Sequence, residues 1–223
     1  MGVLFIVATP IGNLGDITLR AIESLKSVDY VLCEDTRVTA KLLNHFGISK
    51  KMVSFNDFNE DQKMLAVISD LTSGKNIALV SDAGTPLISD PGYKLVRTAI
   101  HRGIRVESIP GPTSITTALT LSGLPPDKFT FLGYLPKQGG KRLKMLEAVR
   151  QNQKNLKSTT IIFESPFRVL KTLESIKDIF GDIDVVVCRE LTKLYEEIRR
   201  EKVSQSIAHF SQTKPKGEFV ILF

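Results

Sequence analysis

The chain has 223 residues, of which 42% are hydrophobic, a mean hydropathy of +0.02 and a formal net charge of +6. This composition is typical of a soluble globular protein with one large domain or two ordinary ones, and it argues against extensive disorder. No apolar run approaches the roughly 20 residues of a membrane-spanning helix. Cys33 and Cys188 are expected to be buried thiols of a cytoplasmic protein, and the histidines stand singly, so no zinc site is expected.

The first 123 residues alternate short apolar runs with helical patterns. Val3–Ala8 lacks a charged segment before it and is cut by Pro10, so it predicts a strand and not a signal peptide. Asp16 is placed to cap the first helix, and Gly47 is placed to end the second. Further strands are predicted at 30–34, 52–55, 77–81 and 106–109, and helices at 18–27, 38–46, 61–72, 93–101 and 114–121. This alternation predicts an α/β layer with a mainly parallel sheet.

The second part of the chain begins at a predicted linker, Leu124–Lys128, because paired prolines cannot continue a helix. The strand around Ile198 is polar, which is typical of an exposed or antiparallel strand. Strands are predicted at 129–133, 159–163, 185–189, 195–199 and 219–223, and helices at 141–153, 167–180 and 204–212. The predicted fold class is therefore α/β, with two domains of similar size at 1–123 and 124–223.

The charge is divided unequally between these domains. Residues 1–123 hold 12 basic and 12 acidic residues, whereas residues 124–223 hold 18 and 12, so the second domain carries the whole excess. The segment from Lys137 to Lys157 has seven basic residues and one acid, Glu147. It is either a solvated helix face or a surface for nucleic-acid phosphates, in which case the neighbouring 137–141 segment (KQGGK) is expected to be a mobile loop.

Loops rich in Gly, Pro, Ser, Thr and charge follow six predicted strands. They are Thr9–Asp16, Cys33–Arg37, Ser81–Pro86, Pro110–Ser114, Glu164–Arg168 and Arg189–Lys193. Ligands of open α/β sheets lie beyond the carboxyl ends of the strands, so these loops predict a ligand site. The P-loop, dinucleotide-binding and G-x-S-x-G patterns are missing. Small residues, backbone donors and few fixed positive charges suit a zwitterionic ligand with an adenosine part.

Taken in order, the loops resemble the ribosomal RNA small-subunit 2′-O-ribose methyltransferase I family, a branch of the tetrapyrrole-methylase-like class III methyltransferases. The resemblance is carried by VATPIGNLGDITLRA, CEDTR, ALVSDAGTPLISDPG, IPGPTS, ESPFR, CRELTK and GEFVILF, and covers nearly the whole chain. It implies two α/β domains with a donor-binding cleft between them, S-adenosylmethionine as the methyl donor, no metal, and a homodimer. It also implies methylation of the 2′-oxygen of a cytidine in the decoding centre of 16S rRNA in the small ribosomal subunit.

The resemblance places the methionine part of the donor against the loop from Asp82 to Pro86. Asp82 is expected to accept a hydrogen bond from the donor's ammonium, and the alternative is a turn-capping role. Ala83 and Gly84 allow the backbone to approach the ligand closely. The donor-binding residues are expected to be Thr9, Pro10, Asp82, Ala83, Gly84, Thr85, Pro86, Pro112, Thr113, Ser114 and Phe163.

Charged residues of the same loops are candidates for the chemistry. Lys193 or Glu190 is expected to handle the hydroxyl proton, since a partly buried lysine can act as a base. RNA contacts are expected at Arg37, Lys137, Lys141, Arg142, Lys144, Arg168 and Arg189. The alternative for the charged rim is a structural ion-pair network. The family commonly has histidine where Phe167 stands, so no chemistry is assigned to that position.

Two other classes of function remain open on the sequence. A small-molecule methylase acting on a tetrapyrrole would share the donor loops but would not need the basic segment. A non-catalytic, ribosome-associated RNA-binding factor would need the basic segment but would leave the donor loops unexplained. A measurement of S-adenosylmethionine binding distinguishes the RNA-binding factor, which would not bind it, from the two kinds of methyltransferase, which would.

Overall fold

The computed structural model describes residues 1–212 and 214–223, which form two compact units, Met1–Thr113 and Ser114–Phe223. The boundary lies before the helix α5 (Ser114–Ser122), whereas the sequence predicted it after Gly123. The reason is packing, because α5 contacts the last strand of the second unit, Phe219–Leu222. The segment expected to be a linker, Leu124–Lys128, therefore lies inside the second unit.

The first unit is a five-stranded, fully parallel sheet with helices on both faces. Its strands are β1 (Val3–Val7), β2 (Tyr30–Cys33), β3 (Lys51–Ser54), β4 (Ile77–Val80) and β5 (Arg105–Ile109), in the order β3-β2-β4-β1-β5. Its helices are α1 (Leu19–Ser27), α2 (Thr36–His45), α3 (Glu60–Thr72) and α4 (Tyr93–His101). The predicted parallel α/β layer is confirmed.

The central strands of this sheet are buried on both faces. Leu32 and Leu79 pack in one cluster with side chains of α3 and α4, whereas Val31 and Val80 pack in the other with side chains of α1 and α2. Continuous apolar strands are what a doubly covered parallel sheet requires. Since all five strands run in the same direction, the loops that follow them share one edge, which we call the first rim.

The second unit is a mixed five-stranded sheet. Its strands are β6 (Phe129–Tyr134), β7 (Thr159–Glu164), β8 (Asp184–Arg189), β9 (Glu197–Lys202) and β10 (Phe219–Leu222), in the order β6-β7-β10-β8-β9. The strands β6 and β7 are parallel, and the other neighbours are antiparallel. The helices after α5 are α6 (Gly139–Asn155), α7 (Val169–Phe180) and α8 (Val203–Gln212).

Strand β9 confirms the expectation of a polar, antiparallel strand. It lies at the edge of its sheet, pairs with β8 and is nowhere fully buried. Its side chains form ion pairs along the strand, including Arg199 with Glu201 and Arg199 with Glu197. It begins at Glu197 and not at Tyr195, since Leu194 and Tyr195 belong to the exposed turn that precedes it.

The predictions for the ends of helices are confirmed in part. Gly47 ends α2 with a φ of +63°, as predicted. The cap of α1 is Thr18 and not Asp16, because the Thr18 hydroxyl accepts from the Ala21 N–H at 3.1 Å. Gly139 and Gly140 form the first turn of α6, so the expected mobile loop at 137–141 is mostly helix.

Candidate functional site

The loops after β1 and β4 are joined by a short antiparallel bridge. The Thr9 N–H donates to the Gly84 carbonyl at 2.9 Å, and the Gly84 N–H donates to the Thr9 carbonyl at 3.1 Å. The Thr9 hydroxyl also donates to the Ser81 carbonyl at 3.1 Å. Two predicted donor-binding residues, Thr9 and Gly84, therefore lie side by side on the first rim.

The loop after β5 joins the same group. The Thr85 hydroxyl donates to the Pro112 carbonyl at 3.2 Å. Gly84 has a φ of +87°, and a Cβ there would lie 3.3 Å from Ile11 Cγ2 and 3.8 Å from the Pro112 oxygen. Of the remaining predicted donor residues in this unit, Pro10 and Pro86 are buried, Ala83 is exposed and Thr113 is half-buried, whereas Ser114 starts α5 in the second unit.

Carboxyl groups accumulate around this loop. Asp82 Oδ1 accepts from the backbone N–H of Asp35, after β2, at 3.1 Å. Burial raises the pKa of Asp82, and the neighbouring charge of Asp35 adds to the effect. Burial, together with the charge of Asp82, raises the pKa of Asp90 to about 6 and also raises the pKa of Glu34. The first rim is therefore a partly buried group of mutually repelling carboxylates.

The first rim fits the methyl donor implied by the resemblance. S-adenosylmethionine carries a sulfonium and an ammonium, and a cation bound here would relieve the repulsion that raises these carboxyl pKa values. The Asp82 carboxylate and the exposed backbone of Ala83 are the groups that would hold it. Gly84 would support them, because its positive φ and its bonds to Thr9 fix the loop.

The second half of the same loop is conformationally strained. Leu87 and Ser89 have φ values of +75° and +67°, which residues other than glycine rarely adopt. Gly92 has a φ of +117°, and a Cβ there would lie 2.5 Å from Leu79 Cδ2. Strain of this kind persists only where surrounding contacts hold it, and it concentrates at ligand-binding sites. The loop is therefore built to hold one conformation.

A second charged cluster follows β8 in the second unit. Lys193 Nζ lies 2.9 Å from Glu190 Oε1 and 2.9 Å from Glu218 Oε2. Burial acts to lower the pKa of Lys193, but the two carboxylates outweigh it and raise that pKa. Burial acts to raise the pKa of Glu190, but its bonds from Lys193 and from the Glu218 N–H lower it. Lys193 is thus held as an ammonium, which cannot accept a proton, and Glu190 is held as a carboxylate paired with it.

Two arginines predicted to contact RNA are engaged inside the second unit. Arg168 donates to the Leu135 carbonyl and lies 3.3 Å from the buried carboxylate of Glu164. Arg189 lies 3.3 Å from Glu197. The ion-pair interpretation therefore describes both side chains, and RNA contact by either stays a prediction.

The basic segment divides into exposed lysines and a buried arginine. Lys137, Lys141 and Lys144 are exposed, and none forms an ion pair within the described part of the chain; we call these three the lysine patch. Arg142 was predicted to contact RNA, but it is only 8% exposed and its Nε donates to the Ser175 hydroxyl at 2.9 Å. Its RNA contact stays a prediction, and burial argues against it, because Arg142 lies on the face of α6 that packs into its own unit. Arg37, by contrast, is exposed and pairs with Asp35 at 2.6 Å.

Phe163, the donor-binding residue predicted in the second unit, lies in an aromatic cluster. Its ring centroid is 4.8 Å from that of Phe131 and 5.8 Å from that of Tyr134. The register of β6 against β7 shifts between these two residues, and Gly133 has a φ of +63°. The extra residue moves Tyr134 into the place opposite Phe163, which strand alternation alone would give to Gly133.

Sequence reasoning missed four residues of these clusters. Phe131 and Tyr134 were missed because they meet Phe163 only through the bulge, for which the glycine inside the strand was the available signal. Asp90 and Glu218 lie within two quoted motifs, ALVSDAGTPLISDPG and GEFVILF, but neither was singled out. Among residues 1–212 and 214–223, no group of His, Cys, Asp and Glu is placed to hold a metal ion, and no helix is long and apolar enough to cross a membrane.

Comparison with known proteins shows the family to which the chain belongs. Residues 3–206 match the family of Tetrapyrrole (Corrin/Porphyrin) Methylases. Ribosomal RNA small subunit methyltransferase I of Thermotoga maritima is 46% identical over 222 residues, which is 100% of this chain and 98% of that protein. The protein of the same name from Halalkalibacterium halodurans is 48% identical over 221 residues, 99% of this chain and 75% of that protein.

Solved structures show the same fold at low sequence identity. Diphthine synthase matches with a TM-score of 0.74 at 15% identity, covering 100% of this chain and 89% of that one. Cobalt precorrin-4 methyltransferase matches with a TM-score of 0.72 at 18% identity, covering 99% and 94%. The family match and the full-length relatives show that this chain belongs to the tetrapyrrole methylases and, within them, to the ribosomal RNA small subunit methyltransferase I family of S-adenosylmethionine-dependent methyltransferases.

Proposed function

We propose that the protein transfers a methyl group from S-adenosylmethionine to the 2′-oxygen of a cytidine in the decoding centre of 16S rRNA. The substrate in this proposal is the small ribosomal subunit, and the enzyme is a cytoplasmic homodimer. The name shared by the relatives at 46% and 48% identity supports RNA of the small subunit as the substrate. The resemblance of the ordered loops to the 2′-O-ribose methyltransferases supports the ribose oxygen as the acceptor.

The observation that carries the proposal is the lysine patch. Its three ammonium groups are exposed and unpaired among the described residues, in the half of the chain that carries the whole net charge of +6. Lysines that displace counterions from phosphates dominate affinity for nucleic acids. A small tetrapyrrole would not need such a patch, so the patch favours RNA over a small-molecule substrate.

The first rim would hold the donor. S-adenosylmethionine supplies an electrophilic methyl group on a positively charged sulfur, so that transfer is an in-line displacement whose rate depends strongly on alignment. The Asp82 carboxylate would bind the ammonium, and the bridge between Thr9 and Gly84 would hold the loop around it. Keeping the loop in one conformation lowers the entropic cost of ordering it on binding.

The charged cluster after β8 would act on the acceptor. The ribose hydroxyl loses its proton as its oxygen forms the new bond to carbon, and a positioned carboxylate can accept that proton. Glu190 and Glu218 provide carboxylates there, and Lys193 provides an ammonium that fixes their positions. Neutral pH leaves Lys193 protonated, because both carboxylates stabilise its charge.

The proposal is tested with small subunits from a strain that lacks this protein. Purified protein and S-adenosylmethionine with a labelled methyl group are added, and the labelled nucleotide is located by alkaline hydrolysis, which cannot cleave after a 2′-O-methylated ribose. We expect one labelled cytidine in the decoding centre of 16S rRNA. Label on a base, or in a precorrin but not in RNA, would overturn the proposal. A failure to bind S-adenosylmethionine in calorimetry would favour a non-catalytic RNA-binding factor.

A further inference from the structure

Glu218 differs from the other charged groups of the second cluster in how much of it is open. Its side chain is 72% exposed, against 30% for Lys193 and 20% for Glu190. Its Oε2 accepts from Lys193 Nζ at 2.9 Å, whereas no hydrogen bond reaches its Oε1 from any residue that the structure describes. The cluster therefore keeps one carboxylate oxygen available to a ligand.

Glu190 is less open than Glu218, because its side chain is only 20% exposed and is held by two hydrogen bonds. Its Oε1 accepts from Lys193 Nζ at 2.9 Å and from the Glu218 N–H at 3.0 Å. These bonds, together with the ion pair, lower the pKa of Glu190 even though burial acts in the opposite direction. Glu190 is a structural anchor, since it ties the Lys193 ammonium to the backbone of Glu218.

Gly217 makes this anchoring possible. It has a φ of +91°, and a Cβ there would lie 2.5 Å from Glu190 Cγ and 2.6 Å from Glu190 Oε1. The Glu190 N–H also donates to the Glu218 carbonyl at 3.0 Å. Only a residue without a side chain lets the Glu190 carboxylate pack against the start of β10, where it places Glu218 next to Lys193.

The turn that carries Lys193 is strained as well. Glu190 and Thr192 have φ values of +51° and +66°, and the Thr192 N–H donates to Glu196 Oε2 at 2.6 Å. Two left-handed residues within three positions are unusual for side chains of this size. Such strain concentrates where a site requires a fixed geometry. Here the strained turn places the Lys193 ammonium 2.9 Å from Glu218 Oε2.

On the basis of the function proposed above, we infer that Glu218 is a further catalytic residue: its Oε1 accepts the hydrogen bond, and then the proton, of the ribose 2′-hydroxyl. Lys193 is then a positioning residue that stays an ammonium throughout and holds Glu218 by its Oε2. This reassigns the proton transfer from Lys193 and Glu190 to a residue of the GEF sequence at 217–219.

The proposed step is balanced without any further reactant. The hydroxyl O–H bond breaks and its proton passes to Glu218 Oε1, while the ribose oxygen forms a bond to the methyl carbon. The bond from that carbon to sulfur breaks and its electron pair stays on sulfur. The products are a 2′-O-methyl ribose, a thioether and a neutral Glu218 carboxylic acid. A carboxylate is basic enough, because the oxygen becomes strongly acidic as the new bond forms.

The test measures the steady-state methylation of small subunits by wild-type protein and by single variants. Glu218→Gln keeps the shape and removes the proton acceptor, so we expect kcat to fall by about 100-fold or more with little change in KM, and we expect Glu218→Asp to recover part of the rate. Lys193→Arg keeps the positive charge but cannot act as a base, so we expect it to retain activity within about 10-fold of wild type. Glu174→Gln changes another exposed glutamate and is the control.

The variants separate the inference from the function on which it rests. A wild-type protein that methylates no RNA would overturn the proposed function and the inference with it. An active wild type with an equally active Glu218→Gln variant would overturn the inference alone. An inactive Lys193→Arg variant beside an active Glu218→Gln variant would return the proton transfer to Lys193. Calorimetric affinity for S-adenosylmethionine, unchanged in Glu218→Gln, shows that the fold and the first rim are intact.

Discussion

Thr9 and Gly84 exchange both of their main-chain hydrogen bonds, at 2.9 and 3.1 Å, although they lie in loops that follow different strands. The pair ties the end of β1 to the loop after β4, and the Thr9 hydroxyl adds a third bond to Ser81. Because Gly84 has a φ of +87°, the bridge depends on a residue that adopts the left-handed conformation without strain.

The first prediction concerns Gly84→Val. A valine at this φ is strained, and its branched side chain would press on the buried Ile11 and displace the loop proposed for the donor. We expect the affinity for S-adenosylmethionine to fall at least about 10-fold, which corresponds to about 1.4 kcal/mol. We expect the free energy of unfolding to fall by about 1–3 kcal/mol, the usual cost of such strain. Calorimetry and urea denaturation measure the two effects separately.

Gly103→Val is the matched control for this variant. Gly103 has a similar φ of +69°, follows α4 at the opposite end of its helix from the strained loop, and has no atom within 4 Å of a built Cβ. It should lose stability without losing affinity for the donor. Wild-type donor affinity in Gly84→Val, or equal losses of affinity in both variants, would show that the donor does not bind at this loop.

The second prediction concerns the lysine patch. Changing Lys137, Lys141 and Lys144 to glutamine should weaken binding to the small subunit and reduce its dependence on salt. A plot of the logarithm of the binding constant against the logarithm of the salt concentration should become less steep. Its slope should fall in magnitude by roughly 0.7–0.9 for every phosphate that the variant no longer neutralises. Methylation should fall through KM and recover in part at saturating subunit, whereas donor affinity should not change. Filter binding over a range of salt concentrations measures the slope.

A charge-matched variant distinguishes this surface from a general charge effect. Lys26, Lys171 and Lys177 are exposed lysines on α1 and α7 without ion pairs among the residues described. Their change to glutamine removes the same charge, and we expect a much smaller change in slope. Equal slopes for the two triple variants would show that the lysine patch is a solvated face.

The third prediction separates Arg142 from its neighbours. Its Nε donates to the Ser175 hydroxyl at 2.9 Å in a buried position, so Arg142→Ala should lower the free energy of unfolding by about 1–3 kcal/mol. Lys141→Ala, at an exposed neighbouring position, should change it by less than about 0.5 kcal/mol. Urea denaturation measures both. A stable Arg142→Ala variant with weakened RNA binding would restore Arg142 to the RNA surface.

The fold was predictable because periodicity reports burial. The strands β2 and β4 are buried at every position, and their continuous apolar sequences predicted a parallel sheet covered on both faces. The same reasoning applies to Arg142. It stands four and seven residues before Leu146 and Val149, the helical spacing of the buried face of α6.

The clusters of charge were less accessible from sequence, because they depend on strand register. Glu190 and Glu218 meet since β8 and β10 are antiparallel with Arg189 opposite Phe219. No local pattern specifies that pairing, and the sheet of the second unit is mixed where the first is parallel. The boundary between the two units differs from the predicted one for a similar reason: Gly123 and the prolines after it mark a chain break locally, but α5 packs against a strand about 100 residues later.

The last prediction follows from the raised pKa of Asp90. This pKa is raised to about 6, chiefly by burial and also by the charges of Asp82 and Asp57, while a hydrogen bond from Ser81 acts in the opposite direction. The folded protein therefore binds a proton at Asp90 more tightly than the unfolded chain does. Stability contributed by this group is present at low pH and is lost as the pH rises through about 6.

Asp90→Asn removes the charge and keeps an acceptor for the Ser81 hydroxyl, so it should be more stable than wild type at pH 7.5 and not at pH 4. We expect a difference of about 1 kcal/mol in the free energy of unfolding, because water screens a partly exposed carboxylate.

The affinity for the donor should respond to pH in the opposite sense. The ionised Asp90 adds attraction for a cation, so wild-type affinity for S-adenosylmethionine should fall as the pH drops through about 6, and Asp90→Asn should bind more weakly at pH 7.5 with a flatter pH profile. Urea denaturation and calorimetry at both pH values measure these differences. If the free energy of unfolding and the donor affinity depend on pH in the same way in wild type and in Asp90→Asn, the Asp90 carboxylate neither destabilises the first rim nor attracts the donor.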